Sequence, residues 1–286
     1  MLSARRTGNT MGAELSGADL SQPIGEAGFS EIQKQFLQHQ VVVFRDQKLT
    51  APQFLSFSRH FGSAEPHVLD QFHHPDDPDI LVLSNVLRDG VPLGLADGGT
   101  YWHSDYSYLA IPARATLLYS IQVPKVGGNT LFADQVAAYA DLPQSMKMRI
   151  DKLVAIHHYG NRDDMDLKSR TVALPPDERQ KQVRGIRNIP HPLVRRHPLT
   201  GTKVLYAVSG TSLGIEGMPE DEALQVLREL AAHSTQPKYQ FSVKYGEGDV
   251  VVWDNAAVLH SATLVAPDDA RTLWRITVKE RERPLA

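Results

Sequence analysis

His103 and Asp105 stand two residues apart in the run Tyr101-Trp102-His103-Ser104-Asp105-Tyr106-Ser107-Tyr108. Residues i and i+2 of an extended strand project from one face, so the spacing predicts an imidazole and a carboxylate that reach a single cation. The flanking aromatic residues have the bulk expected of a strand. Such a pair recurs by chance and is a weak signal alone. A third ligand comes from the far end of the chain: His260, in Val258-Leu259-His260-Ser261, shortly after Trp253-Asp254-Asn255. A lone histidine among apolar residues is more often a satisfied core residue. With His103 and Asp105 it completes two histidines and one carboxylate, a facial triad that leaves coordination positions open and is the usual site of non-haem Fe(II) oxygenases. The same three ligands also suit zinc.

Arg271 and Arg275 lie four residues apart in Arg271-Thr272-Leu273-Trp274-Arg275-Ile276-Thr277. In a strand that spacing places both on the face of Leu273 and Thr277. Guanidiniums turned toward a sheet interior are costly unless they meet anions, and their fork suits carboxylates, sulfonates and phosphates. The bland alternative is a surface pair on an edge strand.

The remaining sequence bounds what can position these groups. A chain of 286 residues is long enough to bury a full core, and β domains of this size are often single. The 42% hydrophobic and 22% charged residues are ordinary for a soluble globular protein. Thirty basic against 33 acidic residues, net −3, give no reason to expect nucleic acid or an anionic membrane as partner. With no cysteine, disulfides, thiolate metal sites and cysteine nucleophiles are excluded, so a metal must be held by His, Asp or Glu. Residues 1–12 lack the apolar stretch of a secretory signal and no apolar run is long enough for a bilayer, so a cytoplasmic enzyme is expected.

The elements read as many short strands with few helices. Helices are predicted over Ser30–Gln40, from an N-cap at Thr50 with Gln53 closing a capping box through to Phe61, over Val136–Leu153, and over Pro219–His233. Strands are predicted at Val41–Phe44, Ile80–Leu83, Tyr101–Tyr108, Ala115–Ile121, Thr130–Phe132, Tyr239–Tyr245, Val250–Trp253 and Thr272–Lys279, with a hairpin over Leu193–Tyr206. The pattern argues for a mainly β sandwich or jelly roll with flanking helices. A doubly wound fold is disfavoured, since no glycine-rich phosphate loop opens a helix after a strand. Two irregular segments, 86–100 and 160–190, are expected as lid loops, and the length and composition of the second suit a disordered segment equally well.

Taken in order, Trp102-His103-Ser104-Asp105, Gly127-Gly128-Asn129-Thr130, Trp253-Asp254-Asn255, His260 and Arg271 through Arg275 resemble the taurine/2,4-dichlorophenoxyacetate dioxygenase (TauD/TfdA) family, and the likeness runs from Gly12 to Val278. The resemblance implies a single domain over 1–286 with a double-stranded β-helix, the jelly roll already reached from the strands. It implies Fe(II) held by His103, Asp105 and His260. 2-Oxoglutarate is the implied cosubstrate, its distal carboxylate on Arg271 and Thr130. O2 is the oxidant, and a small organic anion is hydroxylated with release of succinate and CO2. Arg275 and His67 match positions that grip the substrate's sulfonate in the taurine enzyme; a loop histidine in water is the plainer reading of His67. Homo-oligomers are in keeping with the family, but the sequence displays no interface. The alternatives are a metal-dependent hydrolase or isomerase, or a non-catalytic metal-binding protein, on the same scaffold.

The likeness weakens at the substrate. Thr211 and Asp70 stand where the taurine enzyme has aromatic residues, and Gly160-Asn161-Arg162-Asp163 brings no phenylalanine. Taurine is therefore disfavoured, and an aryloxyalkanoate, another sulfonate, an alkyl sulfate or a bulky carboxylate is expected. His157, His158, His191 and His197 are expected to be structural.

Overall fold

A computed structural model describes residues 2–96, 98–158, 188–209 and 211–284. Alternating apolar residues build two facing sheets. The larger has eight strands in the spatial order Ser3–Arg6, Ala13–Ser16, Val41–Phe44, Val250–Asp254, Ala113–Gln122, Thr272–Lys279, Asp77–Ser84, His73–His74. The smaller has three: Gln240–Val243, Thr130–Asp134 and Val258–Ala262. All neighbours in these sheets are antiparallel except Ala13–Ser16 with Val41–Phe44. This is the jelly roll predicted from the strands.

Period-2 alternation splits the core in two. Val41, Val43, Leu118, Val251, Trp253 and Leu273 from the larger sheet meet Phe132, Val243 and Val258 from the smaller one. The opposite face of the larger sheet, with Val42, Phe44, Leu117, Val252, Ile276 and Val278, packs on the helices Glu26–His39 and Ala51–Ser58. The first helix ends in the left-handed conformation at Gln40, φ 62°, which turns the chain straight into Val41–Phe44. The second begins with the predicted capping box between Thr50 and Gln53 and stops at Ser58, three residues before the expected Phe61. A third cluster gathers around the helix Glu220–Ser234 and the strands Val154–His157, Val194–Arg196 and Ser212–Ile215.

Several expectations need correction. The segment Tyr101–Tyr108 is not a strand. His103 makes one isolated antiparallel bridge to His260, and the chain then turns through 105–108 with Tyr106 at φ 54°. The helix expected over Val136–Leu153 is two, Gln135–Ala140 and Gln144–Ile150. Pro143, which cannot sit in a continuous helix, caps the second. The strand around Tyr239 is shorter than expected, Gln240–Val243. In segment 86–100, Leu87–Arg88 and Val91–Pro92 form a hairpin. Its turn, Asp89-Gly90, has φ values of 54° and 79°, as a two-residue primed turn requires. The backbone then returns onto the strand Asp77–Ser84 through Leu95 N–H donating to Val82 O and Ser84 N–H donating to Leu95 O. Residues 160–187 of the second expected lid lie outside the described residues. No helix among the described residues is long and apolar enough to cross a membrane.

Candidate active site

His260 sits in the middle of Val258–Ala262, opposite Phe132. Its ring packs against Trp253, 4.7 Å between centroids, and Phe132, 6.4 Å. The His103 backbone pairs with that of His260 in both directions, at 3.0 and 2.9 Å, and brings the two imidazoles to 4.1 Å between centroids. The turn after the bridge returns Asp105 to the same spot. Oδ1 of Asp105 is 3.7 Å from His103 Nε2, and Oδ2 is 3.6 Å from His260 Nε2. These separations are too long for hydrogen bonds, yet bonds of about 2.1 Å to a shared cation span them. The ligand atoms of the three residues all lie within 4.8 Å of one another, the only such metal-competent group among the described residues.

Protonation favours metal binding. His103 Nδ1 donates to Tyr101 O at 2.7 Å, which leaves Nε2 with its lone pair facing Asp105. Burial lowers the His103 pKa; burial and the neighbouring His103 ring lower that of His260 well below the usual value. Burial alone would raise the Asp105 pKa. The Arg275 guanidinium, with His260 and His103, instead holds that carboxylate well below its ordinary range. Two neutral imidazoles and one carboxylate are a fitting donor set for a divalent first-row metal.

Asp105 is oriented from three directions. Thr116, in the strand Ala113–Gln122, donates to Oδ2 at 2.5 Å. Asn255 donates through Nδ2 to Thr116 Oγ1 at 2.9 Å and accepts through Oδ1 from the Asp105 N–H, 3.2 Å, and from Trp253 Nε1, 3.1 Å. Arg275 donates from Nη2 to Oδ1 at 2.6 Å and from Nε to Thr277 Oγ1 at 3.1 Å. The Trp253-Asp254-Asn255 motif thereby acquires its physical role: Asn255 braces the ligand carboxylate, while Asp254 accepts from His197 at 2.8 Å. Gly99, at φ 73°, sits against the His103 ring. A Cβ there would lie 2.7 Å from Cε1 and 3.2 Å from Nε2.

The arginine strand is central, paired with Ala113–Gln122 on one side and Asp77–Ser84 on the other, so the edge-strand reading fails. Arg271 is 6% exposed. Its backbone is fixed by both groups of Asn85, whose side-chain oxygen accepts from Arg271 N–H at 2.8 Å and whose N–H donates to Arg271 O at 3.3 Å. Its stem lies over the glycine pair: a Cβ on Gly128 would be 3.3 Å from Arg271 Cδ, and one on Gly127 would be 2.3 Å from Leu264 O. Thr130 follows in the same motif, buried, its hydroxyl 2.7 Å from that of Tyr245. The Arg271 guanidinium acts electrostatically on that Tyr245 phenol, and guanidiniums suit carboxylates.

His67 is half-buried on the Tyr106 ring, 6.1 Å between centroids, rather than free in water. Burial and the charge of Arg275 take its pKa down to about 3. Tyr106 also lies under Arg275, 5.8 Å from guanidinium carbon to ring centre. Thr211 is buried, its hydroxyl 3.1 Å from that of Ser107, while Asp70 is exposed. Of the histidines expected to be structural, His191 donates to Leu109 O at 2.9 Å, and His197 accepts from the backbone of Leu199 and Thr200. Gly160 to Asp163 lie outside the described residues. Thr116, Asn255 and Tyr245 escaped the sequence reading as site residues. Asn255 stood inside the Trp253-Asp254-Asn255 motif, and Thr116 was a buried hydroxyl in the strand Ala113–Gln122.

Comparison with known proteins agrees with this geometry. Residues 3–277 match the family described as taurine catabolism dioxygenase TauD, TfdA family. The alpha-ketoglutarate-dependent 2,4-dichlorophenoxyacetate dioxygenase of Burkholderia sp. (strain RASC) is 32% identical over 273 residues, 92% of this chain and 89% of its own. The (S)-phenoxypropionate/alpha-ketoglutarate-dioxygenase of Sphingobium herbicidovorans is 30% identical over 279 residues, 93% of this chain and 90% of its own. A crystal structure of AAD-2 in complex with Mn(II) and N-oxalylglycine superposes with a TM-score of 0.84 at 30% identity, covering 100% of this chain and 99% of that one. The chain belongs to the TauD/TfdA dioxygenase family.

Proposed function

We propose that this enzyme, a 2-oxoglutarate-dependent dioxygenase, hydroxylates a small aryloxyalkanoate-like carboxylate at a metal held by His103, Asp105 and His260, and that residues 1–286 act as one domain. The observation that carries this reading is the metal cluster together with two separate cationic groups, the buried Arg271 just before the strand Thr272–Lys279 and Arg275 within it. A hydrolase or isomerase on this scaffold would have no use for the buried Arg271–Thr130 seat. When bound, Fe(II) and 2-oxoglutarate supply the oxidation: O2 is consumed, 2-oxoglutarate leaves as succinate and CO2, and one oxygen atom enters a substrate C–H bond.

The chain's own residues do the rest. His103 and His260 stay neutral and Asp105 stays ionised, so the ligand set is ready without proton release. Arg271 and Thr130 take the distal carboxylate of 2-oxoglutarate. Arg275 takes the substrate anion beside the metal, with His67 and Tyr106 as the adjoining wall. His67, neutral at working pH, can offer its Nε2–H, because Nδ1 already accepts from Leu69 N–H at 3.2 Å. A carboxylate is favoured over a sulfonate by the relatives that oxidise phenoxyalkanoates. Thr211 and Asp70 replace the aromatic groups that would close on taurine. Hydroxylation of a carbon bearing an ether oxygen gives a hemiacetal, which collapses to a phenol and an oxo acid without a general base.

The test is a 2-oxoglutarate consumption screen with Fe(II), ascorbate and O2 across aryloxyalkanoates, sulfonates, alkyl sulfates and amino-acid derivatives. Succinate formed stoichiometrically with a phenol is the expected result. Turnover that persists without O2, or an absence of 2-oxoglutarate binding to the Fe(II) protein, overturns the reading.

A further inference from the structure

The seat of Arg271 and Thr130 contains a third polar group. Tyr245 is buried, and its phenol oxygen is 2.7 Å from Thr130 Oγ1. Thr130 pairs with Val243, the last residue of the strand Gln240–Val243, and Tyr245 follows two residues past that strand's end. A Cβ on Gly128 would meet Pro124 Cγ at 2.7 Å, Val265 Cγ2 at 3.2 Å and Arg271 Cδ at 3.3 Å, so the Arg271 stem passes close beside the glycine two residues before Thr130. The guanidinium acts electrostatically on the Tyr245 phenol. Thr130, Tyr245 and Arg271 therefore converge at one point.

Two hydroxyls at hydrogen-bond distance share one proton between them. The phenol is the stronger acid and the alcohol the better acceptor, so Tyr245 donates to Thr130 Oγ1. The Thr130 proton is then free for another acceptor. We propose that Tyr245 is a positioning residue for the cosubstrate: by donating to Thr130 it turns the Thr130 hydroxyl proton toward the distal carboxylate held by Arg271. The inference rests on the cosubstrate seat proposed above. Burial drives the phenol pKa up to about 12, against the opposing effects of Thr130 and Arg271, so the donor keeps its proton wherever the enzyme works.

The test is Tyr245→Phe, which keeps the ring and removes one oxygen. 2-Oxoglutarate is titrated anaerobically into the Fe(II) protein, and its chelate absorption band is read. The expected dissociation constant rises about five-fold, the size of one neutral hydrogen bond. 2-Oxopentanoate has a methyl group where 2-oxoglutarate has its distal carboxylate; its affinity should change by less than about two-fold, as should that of Mn(II). In turnover the 2-oxoglutarate KM rises while kcat at saturation holds. Because the tyrosine acts through Thr130, Thr130→Val with Tyr245→Phe should bind 2-oxoglutarate no more weakly than Thr130→Val alone.

An unchanged 2-oxoglutarate affinity in Tyr245→Phe overturns the inference. So does an equal loss for 2-oxopentanoate, which would make the tyrosine merely structural, or a loss that multiplies with that of Thr130→Val. If the variant folds poorly, the 2-oxoglutarate concentration dependence of its thermal midpoint gives the same constant. A wild-type protein with no chelate band would instead sink the proposed function, which keeps the two failures apart.

Discussion

Replacing Arg275 with Gln should cost stability in the absence of metal and little in its presence. Arg275 Nη2 is 2.6 Å from Asp105 Oδ1, and the carboxylate is 3% exposed. Removing one partner of a buried ion pair costs about 3–5 kcal/mol, because a charge is left uncompensated. Two observations reduce that figure. The Arg275 side chain is 13% exposed, and Asp105 keeps the hydroxyl of Thr116 at 2.5 Å. A loss of about 2–3 kcal/mol is therefore expected, or a fall of roughly 4–8 °C in the melting temperature for a chain of this size. A bound divalent cation supplies the missing positive charge at Asp105. With Mn(II), which is inert to this redox chemistry, the variant should melt within about 2 °C of wild type.

Differential scanning calorimetry or fluorimetry on both proteins, with chelator and with Mn(II), makes the measurement. An equal loss in the two conditions would show that Arg275 does not stabilise the ligand carboxylate. The kinetic arm is independent of this. Loss of a charge-assisted contact to the substrate anion is worth about 1.5–3 kcal/mol, or about 10- to 150-fold in the substrate's KM. The slow 2-oxoglutarate turnover that needs no substrate should survive. If it falls in parallel with coupled turnover, Arg275 serves the metal or the cosubstrate and not the substrate.

Gly99→Ala adds a methyl group 2.7 Å from His103 Cε1 at a position with φ 73°; it should weaken Mn(II) or Co(II) binding by more than about ten-fold, read by titration of the metal-free protein, and unchanged affinity would mean that the glycine is not needed to seat the ring. The pH dependence of stability should carry the signature of His157 and His191, whose pKa values burial takes down to about 3 and about 4. The unfolded chain binds their protons below about pH 6.5 while the folded one resists, so stability present above that pH is lost as the pH falls toward 4, by up to about 1.4 kcal/mol per pH unit per histidine. Urea melts between pH 7 and 4.5 would show it, and His157→Leu should remove about one proton from the slope; an identical slope in that variant would refute the assignment.

The central strands could be read from sequence because each carries its own signal of alternation, β-branched residues and bounding turns, whereas Ser3–Arg6, Ala13–Ser16, His73–His74 and Val258–Ala262 were not among the expected strands. The facial triad could be read because three ligands of suitable chemistry, two histidines and an aspartate, stood at family spacing. The geometry that unites them could not. The segment Tyr101–Tyr108 has the aromatic composition of a strand, yet one bridge at His103 and a left-handed Tyr106 make it a turn. The two ligands meet because the chain folds back, not because they share a strand face. Composition cannot distinguish those cases, since tyrosine is favourable in a strand and tolerated in the turn once tertiary contacts fix it; Tyr106 here donates from its hydroxyl to Glu65 O at 3.1 Å. Tyr245 and Thr116 were hidden for a different reason. Each acts through a partner on another element: Thr130 is 115 residues from Tyr245, while Asp105 is 11 residues from Thr116 and lies in a turn, so tertiary folding, with the register that places Thr116 beside Thr277 and Trp253, sets the pairs side by side.

That dependence on register explains why the two ends of the site differ in how firmly they are specified. Thr116 pairs with Thr277 on one side and Trp253 on the other, so Thr116, Arg275 and Asn255 reach Asp105 from adjacent strands or the turn that follows one. A slip of one residue in the arginine strand would turn Arg271, Leu273, Arg275 and Thr277 to the opposite face. Leu273 would leave the core between the sheets, and Ile276 and Val278 would leave the core against the helices. Reaction chemistry is thus tied to burial of both cores, and the fold cannot persist in another register that spares it. Arg275, proposed to hold the substrate anion, shares that tie, whereas His67, Asp70 and Thr211 lie on connecting segments, where side chains change without disturbing a ladder. A family built this way keeps its oxidation chemistry while its substrates diverge, and the choice of anion must be sought in those connections rather than in the sheets.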